Sequence, residues 1–151
     1  MIHYINLRVI AHSTEDLSRV RKALDYFLLN SAGASEDSNT DDAVEMLNVE
    51  GYYGNPITIL SAQITRKSDS KAIANFIRQK MHPDDVQRLR SEMPDRLDDD
   101  QVFHIRLDKQ AAFQEIVKLT SSSDAITVKV KIATYPKNRQ KAGLIVEELF
   151  G

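Results

Sequence analysis

Five basic side chains and no acid fall within the 17 residues Ala125 to Lys141, AITVKVKIATYPKNRQK. The first half alternates. Lys129 and Lys131 project from one face of a strand with Thr127, while Ile126, Val128, Val130 and Ile132 project from the other. The run breaks at Tyr135-Pro136 and restarts as a helix behind Asn138, a residue suited to cap it. Lys137, Arg139 and Lys141 then crowd the helix start, where the macrodipole disfavours cations. A local choice that opposes local electrostatics marks a candidate functional site, and a docked anion would reconcile the two. The chemistry on offer is recognition of phosphate.

The other candidates are weaker. Gly51-Tyr52-Tyr53-Gly54-Asn55-Pro56 reads as a hairpin turn. Tyr52, Tyr53 and Asn55 at its tip could touch bases or sugars, or fold back onto a neighbouring element. The motif lacks the Lys-Ser/Thr and the following helix of a phosphate-binding loop. Asp98-Asp99-Asp100 reads as a solvated acidic turn, since adjacent carboxylates rarely converge on one ion. The four histidines have no short metal-ligand spacing, and there is no nucleophile elbow or dinucleotide fingerprint. No catalytic residue, cofactor or metal is expected, so the chain reads as a non-enzyme.

Positioning these residues requires a sheet. Ile2 to Ala11 alternates, with Ile5, Leu7, Val9 and Ala11 on one face and Tyr4, Asn6 and Arg8 on the other. Ser13 or Thr14 is placed to cap a helix carrying Leu17, Val20, Leu24, Phe27 and Leu28. Residues 30–42 are small, polar and acidic and read as a flexible surface loop. Two hairpin arms follow, the second with Leu60, Ala62 and Ile64 inward and Ser61, Gln63 and Thr65 outward. Ser68 is placed to cap a second helix, Asp69 to Met81. Pro83 opens a third helix, which Met93-Pro94 ends. Gln101 to Leu107 is a strand with His104 and Arg106 outward. Asp108 caps a helix with Ala112, Phe113, Ile116 and Val117 inward. The last helix buries Ala142, Ile145, Val146 and Leu149.

This order predicts an α+β fold: a two-layer sandwich of one largely antiparallel or mixed sheet with helices packed on one face. The first six elements resemble a split βαβ arrangement with one extra helix. Residues 1–151 read as a single domain. If the helices cover one face, the other is built from Tyr4, Asn6, Arg8, Ser61, Gln63, Thr65, His104, Arg106, Thr127, Lys129 and Lys131, which include four cations and no acid. Positive charge across an open sheet, in a chain of net charge -2, makes a groove for a nucleic-acid backbone. Charge is also segregated along the chain: Lys22 and Arg66 bracket a stretch without Lys or Arg, and seven basic residues lie from Arg66 to Arg90. The sheet lacks the paired aromatics of base-stacking sheets, so shape and phosphate recognition is expected. The absence of Cys fits a reducing compartment, and no apolar run approaches the roughly 20 residues of a membrane span.

Four strings taken together carry a resemblance: AHSTED at the first helix, EGYYGNP at the hairpin, RLDKQAA, and KVKIATYPKNRQKA. Over residues 2 to 149 the chain resembles an archaeal family of small RNA-binding proteins predicted to be exosome-associated. That family's fold is similar to the large-subunit ribosomal protein that binds 5S rRNA. The resemblance implies non-catalytic RNA binding in an archaeal cytoplasm, with no cofactor. It implies RNA as ligand, exosome or other RNA-processing proteins as partners, and room for a homodimer; no membrane is involved. The expected RNA contacts come from the charge pattern: Arg8, Arg106, Lys129 and Lys131 on the sheet, Lys137, Arg139 and Lys141 at its margin, and Tyr52, Tyr53 and Asn55 at the hairpin. The rival expectation is a protein-interaction or scaffold subunit that uses the open face as a dimer or partner interface. A metal-dependent RNase is a third.

Overall fold

The computed structural model describes residues 1–30, 43–50 and 54–151. Five strands form one antiparallel sheet: β1 (Ile2–His12), β2 (Val44–Glu50), β3 (Pro56–Ile64), β4 (Val102–Leu107) and β5 (Ile126–Ile132), in spatial order β2-β3-β1-β5-β4. β1 is central. It runs parallel to β2 with β3 between them, which is the expected split βαβ arrangement. The α+β reading of the sequence therefore holds.

The alternation decides which face is buried. Ile5, Leu7 and Val9 on β1, Phe103, Ile105 and Leu107 on β4, and Val128, Val130 and Ile132 on β5 are at most 1% exposed. Helices close over them: α1 (Leu17–Leu28), α2 (Lys67–Lys80), α3 (Pro83–Ser91), the short α4 (Met93–Arg96) and α5 (Lys109–Phe113), and α6 (Arg139–Phe150). α1 contributes Val20, Ala23, Leu24, Phe27 and Leu28 to the core, and α2 contributes Ile73, Ala74 and Ile77. Phe150, at the end of α6, is fully buried and stacks on Phe103 at 5.5 Å. The periodic pattern stopped one residue short of it.

Several local expectations need correction. Asp16, not Ser13 or Thr14, caps α1, accepting from the Ser18 N–H, while Glu15 accepts from the His12 N–H one turn earlier. Leu17 is consequently left 37% exposed. α2 begins at Lys67 behind Arg66, with no side-chain cap, and Ser68 lies inside it. Met93-Pro94 does not simply end α3; it opens α4, since Pro is tolerated in a first helical turn. α5 stops at Phe113 and Glu115 takes φ 63°, so Ile116 turns outward and is 51% exposed. Thr65 falls beyond β3. Asp108 and Asn138 do cap α5 and α6, and His82, not among the expected caps, caps α3, each accepting a backbone N–H. The expected flexible loop at about 30–42, save Asn30, lies outside the described residues, as do Tyr52 and Tyr53.

Candidate nucleic-acid interface

Among the described residues no helix lies over the second face of the sheet, and strand register sets its layout. Glu45, Ser61, Arg8, Thr127 and Arg106 form one row across five strands. Gln63, Asn6, Lys129 and His104 form the next, and Tyr4 and Lys131 a third. Strands lie about 4.8 Å apart and same-face residues about 6.7 Å apart along a strand, so Arg8, Arg106, Lys129 and Lys131 fall within one patch roughly 14 Å across. Arg8 and Arg106 are exposed; Lys129 and Lys131 are half-buried by their neighbours.

Two of these positions have protein partners. The Lys131 ammonium donates to the Asp100 carbonyl, which ties β5 to the turn before β4. His104 Nε2 lies 2.8 Å from Asp98 Oδ2. Asp98 also accepts from the Asp100 and Val102 N–H groups. Burial pushes the Asp98 carboxyl up, but His104 and these two N–H groups outweigh it and hold the pKa below the ordinary value. The acidic turn is thus an organised corner rather than a loose run of charge. The open face also carries acid that the sequence count omitted: Glu45 at the β2 edge and Asp98 beside His104. Positive charge therefore concentrates on β1, β5 and β4. The β2 side is mixed, with Glu45 beside the exposed Leu47, and Ile59 and Ile10 continuing the Leu47 row.

The three cations at the start of α6 do not converge. Lys137 is exposed in the preceding loop. Arg139 Nη2 donates to the Pro94 and Leu97 carbonyls at 3.0 and 2.7 Å, satisfying the end of α4. The Lys141 charge acts on the chain start: burial lowers the pKa of the Met1 ammonium, and Lys141 and Lys67 lower it further, against Glu148. Asn138 supplies the capping oxygen to the Lys141 N–H, which eases the local anomaly without an anion. Asn55 is exposed at the foot of β3.

Sequence reasoning missed two buried polar anchors. Gln101 is 3% exposed, with φ 62°. Its Nε2 donates to the Ile132 carbonyl and lies 3.0 Å from Thr134 Oγ1, and its Oε1 accepts from the Asn138 N–H. Lys109 is 4% exposed and donates to the Ile10 carbonyl, to Glu15 and to Asp124 at 2.8–3.1 Å. His12, Glu15 and Asp124 are the one group among the described residues spaced to hold a metal ion, but the Lys109 ammonium contacts both carboxylates and already supplies the positive charge. Sequence offered no signal for either anchor beyond a polar residue beside a strand or cap.

With this geometry in place, comparison with known proteins identifies the group. Residues 4–132 match the RNA_binding family model, described as RNA binding. The chain belongs to that family. A Pyrococcus abyssi protein named as an RNA-binding protein is 30% identical, the match covering 97% of this chain and 92% of that one. A solved DUF54-family protein of Archaeoglobus fulgidus has a TM-score of 0.81 at 30% identity, covering 99% of each chain. A DUF54 protein of Methanothermobacter thermautotrophicus has a TM-score of 0.72 at 29% identity, covering 100% of this chain and 99% of its own. These relatives are archaeal. Among the described residues no helix is long and apolar enough to cross a membrane.

Proposed function

We propose that this protein binds structured RNA, without cleaving it, through the open sheet face. The observation that carries the reading is the cluster of Arg8, Arg106, Lys129 and Lys131 on a face that no helix among the described residues covers. Membership of an RNA-binding family supports it. Arg8, Arg106 and Lys129 neutralise phosphates directly. Lys131 does so at the expense of its bond to Asp100, and Lys137 extends the patch at the sheet end. Asn55, exposed at the foot of β3, would meet sugar or base at the margin, and the same role is proposed for Tyr52 and Tyr53, which lie outside the described residues. The cellular setting we propose is RNA processing in the cytoplasm, with the exosome as the candidate partner complex; the sequence resemblance supports that setting.

Phosphate neutralisation sets the salt dependence. Each contact contributes about 0.7–0.9 to the slope of log affinity against log salt, so four contacts give roughly a 50- to 150-fold loss between 50 and 200 mM salt. Double- and single-stranded RNA are titrated across that series with the parent and with Lys129→Glu/Lys131→Glu. Failure of the parent to bind at low salt, or a double variant that binds like the parent, overturns the reading.

A second reading has one observation behind it. Leu47 is 58% exposed on the open face and Met46 51% exposed on the edge strand, as at a partner or dimer interface. Sedimentation of Leu47→Lys separates the two. A complex that dissociates while RNA binding persists assigns the β2 edge to protein contact and leaves the cationic half for RNA. Degradation of RNA with Mg²⁺ or Mn²⁺, abolished by chelator, would replace the non-catalytic reading with a nuclease.

A further inference from the structure

The loop between β5 and α6 presents a tyrosine that the fold does not use. Tyr135 is 101% exposed, as open as in an extended peptide. The other described aromatics are engaged. Tyr26, Phe27 and Phe76 pack edge to face, Phe103 stacks on Phe150, Tyr4 meets His3, and Phe113 lies under Arg19 and Lys22. Tyr135 has no ring contact or hydrogen bond among the described residues.

The loop that carries it is built. Ala133 N–H donates to the Met1 carbonyl at 2.7 Å. Thr134 Oγ1 and Gln101 Oε1 each accept from the Asn138 N–H at 2.9 Å. Gln101 holds this position from a buried, left-handed backbone conformation. Asn138 in turn caps α6. Both ends of the Tyr135-Pro136-Lys137 triplet are therefore pinned, and the three exposed residues between them project from a fixed base. Backbone strain at buried Gln101 thus holds an exposed loop in place, as at sites preorganised for a ligand.

The surroundings identify the ligand. Lys137 is two residues away, and the loop follows directly from the strand that carries Lys131 and Lys129. An exposed aromatic beside cations, at the end of a phosphate-binding face, is a stacking platform for a nucleobase. We propose that Tyr135 receives one unpaired base of the RNA on its ring while Lys137 meets the adjoining phosphate. This rests on the RNA-binding reading and adds to it a requirement for an unpaired nucleotide, in a loop, bulge or end, next to the paired segment on the sheet face.

Stacking carries no net charge, so its loss lowers affinity without changing the salt slope. That separates Tyr135 from the sheet cations. Tyr135→Ala is expected to weaken binding of an RNA hairpin with an unpaired loop by about 5- to 100-fold at every salt concentration, with a parental slope. Tyr135→Phe retains binding. The chain has no tryptophan, so Tyr135→Trp supplies a single reporter. Its emission is expected to be quenched by the hairpin and by oligoadenylate, saturating with binding measured by anisotropy, and to be unchanged by a blunt duplex of equal length. Binding without quenching, equal quenching by the blunt duplex, or a Tyr135→Ala variant that binds like the parent overturns the stacking role and leaves the sheet-face reading standing. A parent that binds no RNA at low salt overturns both.

Discussion

Replacing Lys109 with Met tests whether its ammonium is the internal cation that ties three elements together. The substitution keeps an unbranched stem of similar length and removes only the charge and its donors. Three acceptors then lose their partner: the Ile10 carbonyl on β1, Glu15 ahead of α1, and Asp124 ahead of β5. Breaking a fully buried ion pair by deleting one member costs about 3–5 kcal/mol. Here the lysine is 4% exposed, but the carboxylates are 20% and 49% exposed, and water can replace part of what they lose. Glu15 also keeps the His12 N–H, and Asp124 keeps the His12 ring at 3.3 Å. The net cost is therefore placed near 2 kcal/mol, or about 4–8 °C in melting temperature for a chain of this size.

The pH dependence has a defined sign. Burial raises the Asp124 carboxyl pKa, but the hydrogen bond and charge of Lys109, with His12, outweigh it and hold the pKa below the ordinary value. Its contribution is present above the unfolded aspartate range and is lost as pH falls through the lowered folded value. The gap between parent and Lys109→Met should thus be full at pH 7 and shrink at acid pH. Thermal melts followed by circular dichroism over that range measure it. A variant that melts within 1 °C of the parent at pH 7 would refute the anchoring role, and a gap that widens in acid would refute the assignment to Asp124.

Other consequences are as direct. Phe150→Ala should cost about 3–5 kcal/mol, measured by urea unfolding, because it empties a fully buried site against Phe103; a loss under 1 kcal/mol would show that α6 repacks. Gln101→Ala removes one of the two acceptors for the Asn138 N–H and the donor to Ile132, and should raise amide exchange at 134–138 while the β1–β3 amides stay protected; uniform exchange would show that the loop is not held by Gln101. Asp98→Asn should lower stability at neutral pH and match the parent once pH falls through the depressed Asp98 value, since the carboxylate charge that strengthens its hydrogen bonds to His104, Asp100 and Val102 is lost there; an undiminished difference in strong acid would disprove that linkage.

The uncovered cationic face was legible because the strand period is two. Once Ile5, Leu7 and Val9 had to face a core, Arg8 had to face away, and the same parity placed Lys129, Lys131 and Arg106 with it. What parity could not supply was the neighbour across the sheet. Glu45 joins the face because β2 pairs with β3 in the register that sets it opposite Ser61, and Asp98 joins it by reaching His104. The helix start at Asn138 read as one cluster of three cations because they are close in sequence. In space the Arg139 guanidinium is committed to the carbonyls at the end of α4, so it is not free as one of three equivalent cations.

Sequence alone determined the strands and longer helices, the inward and outward faces of the strands and the caps at Asp108 and Asn138, because each depends on interactions within a few residues. Only the tertiary structure decided the roles of Lys109, Gln101 and Tyr135. The partners of Lys109 lie up to 99 positions away and those of Gln101 up to 37. Tyr135 stands out only once every other described aromatic has found its place, because exposure is a property of the packed whole.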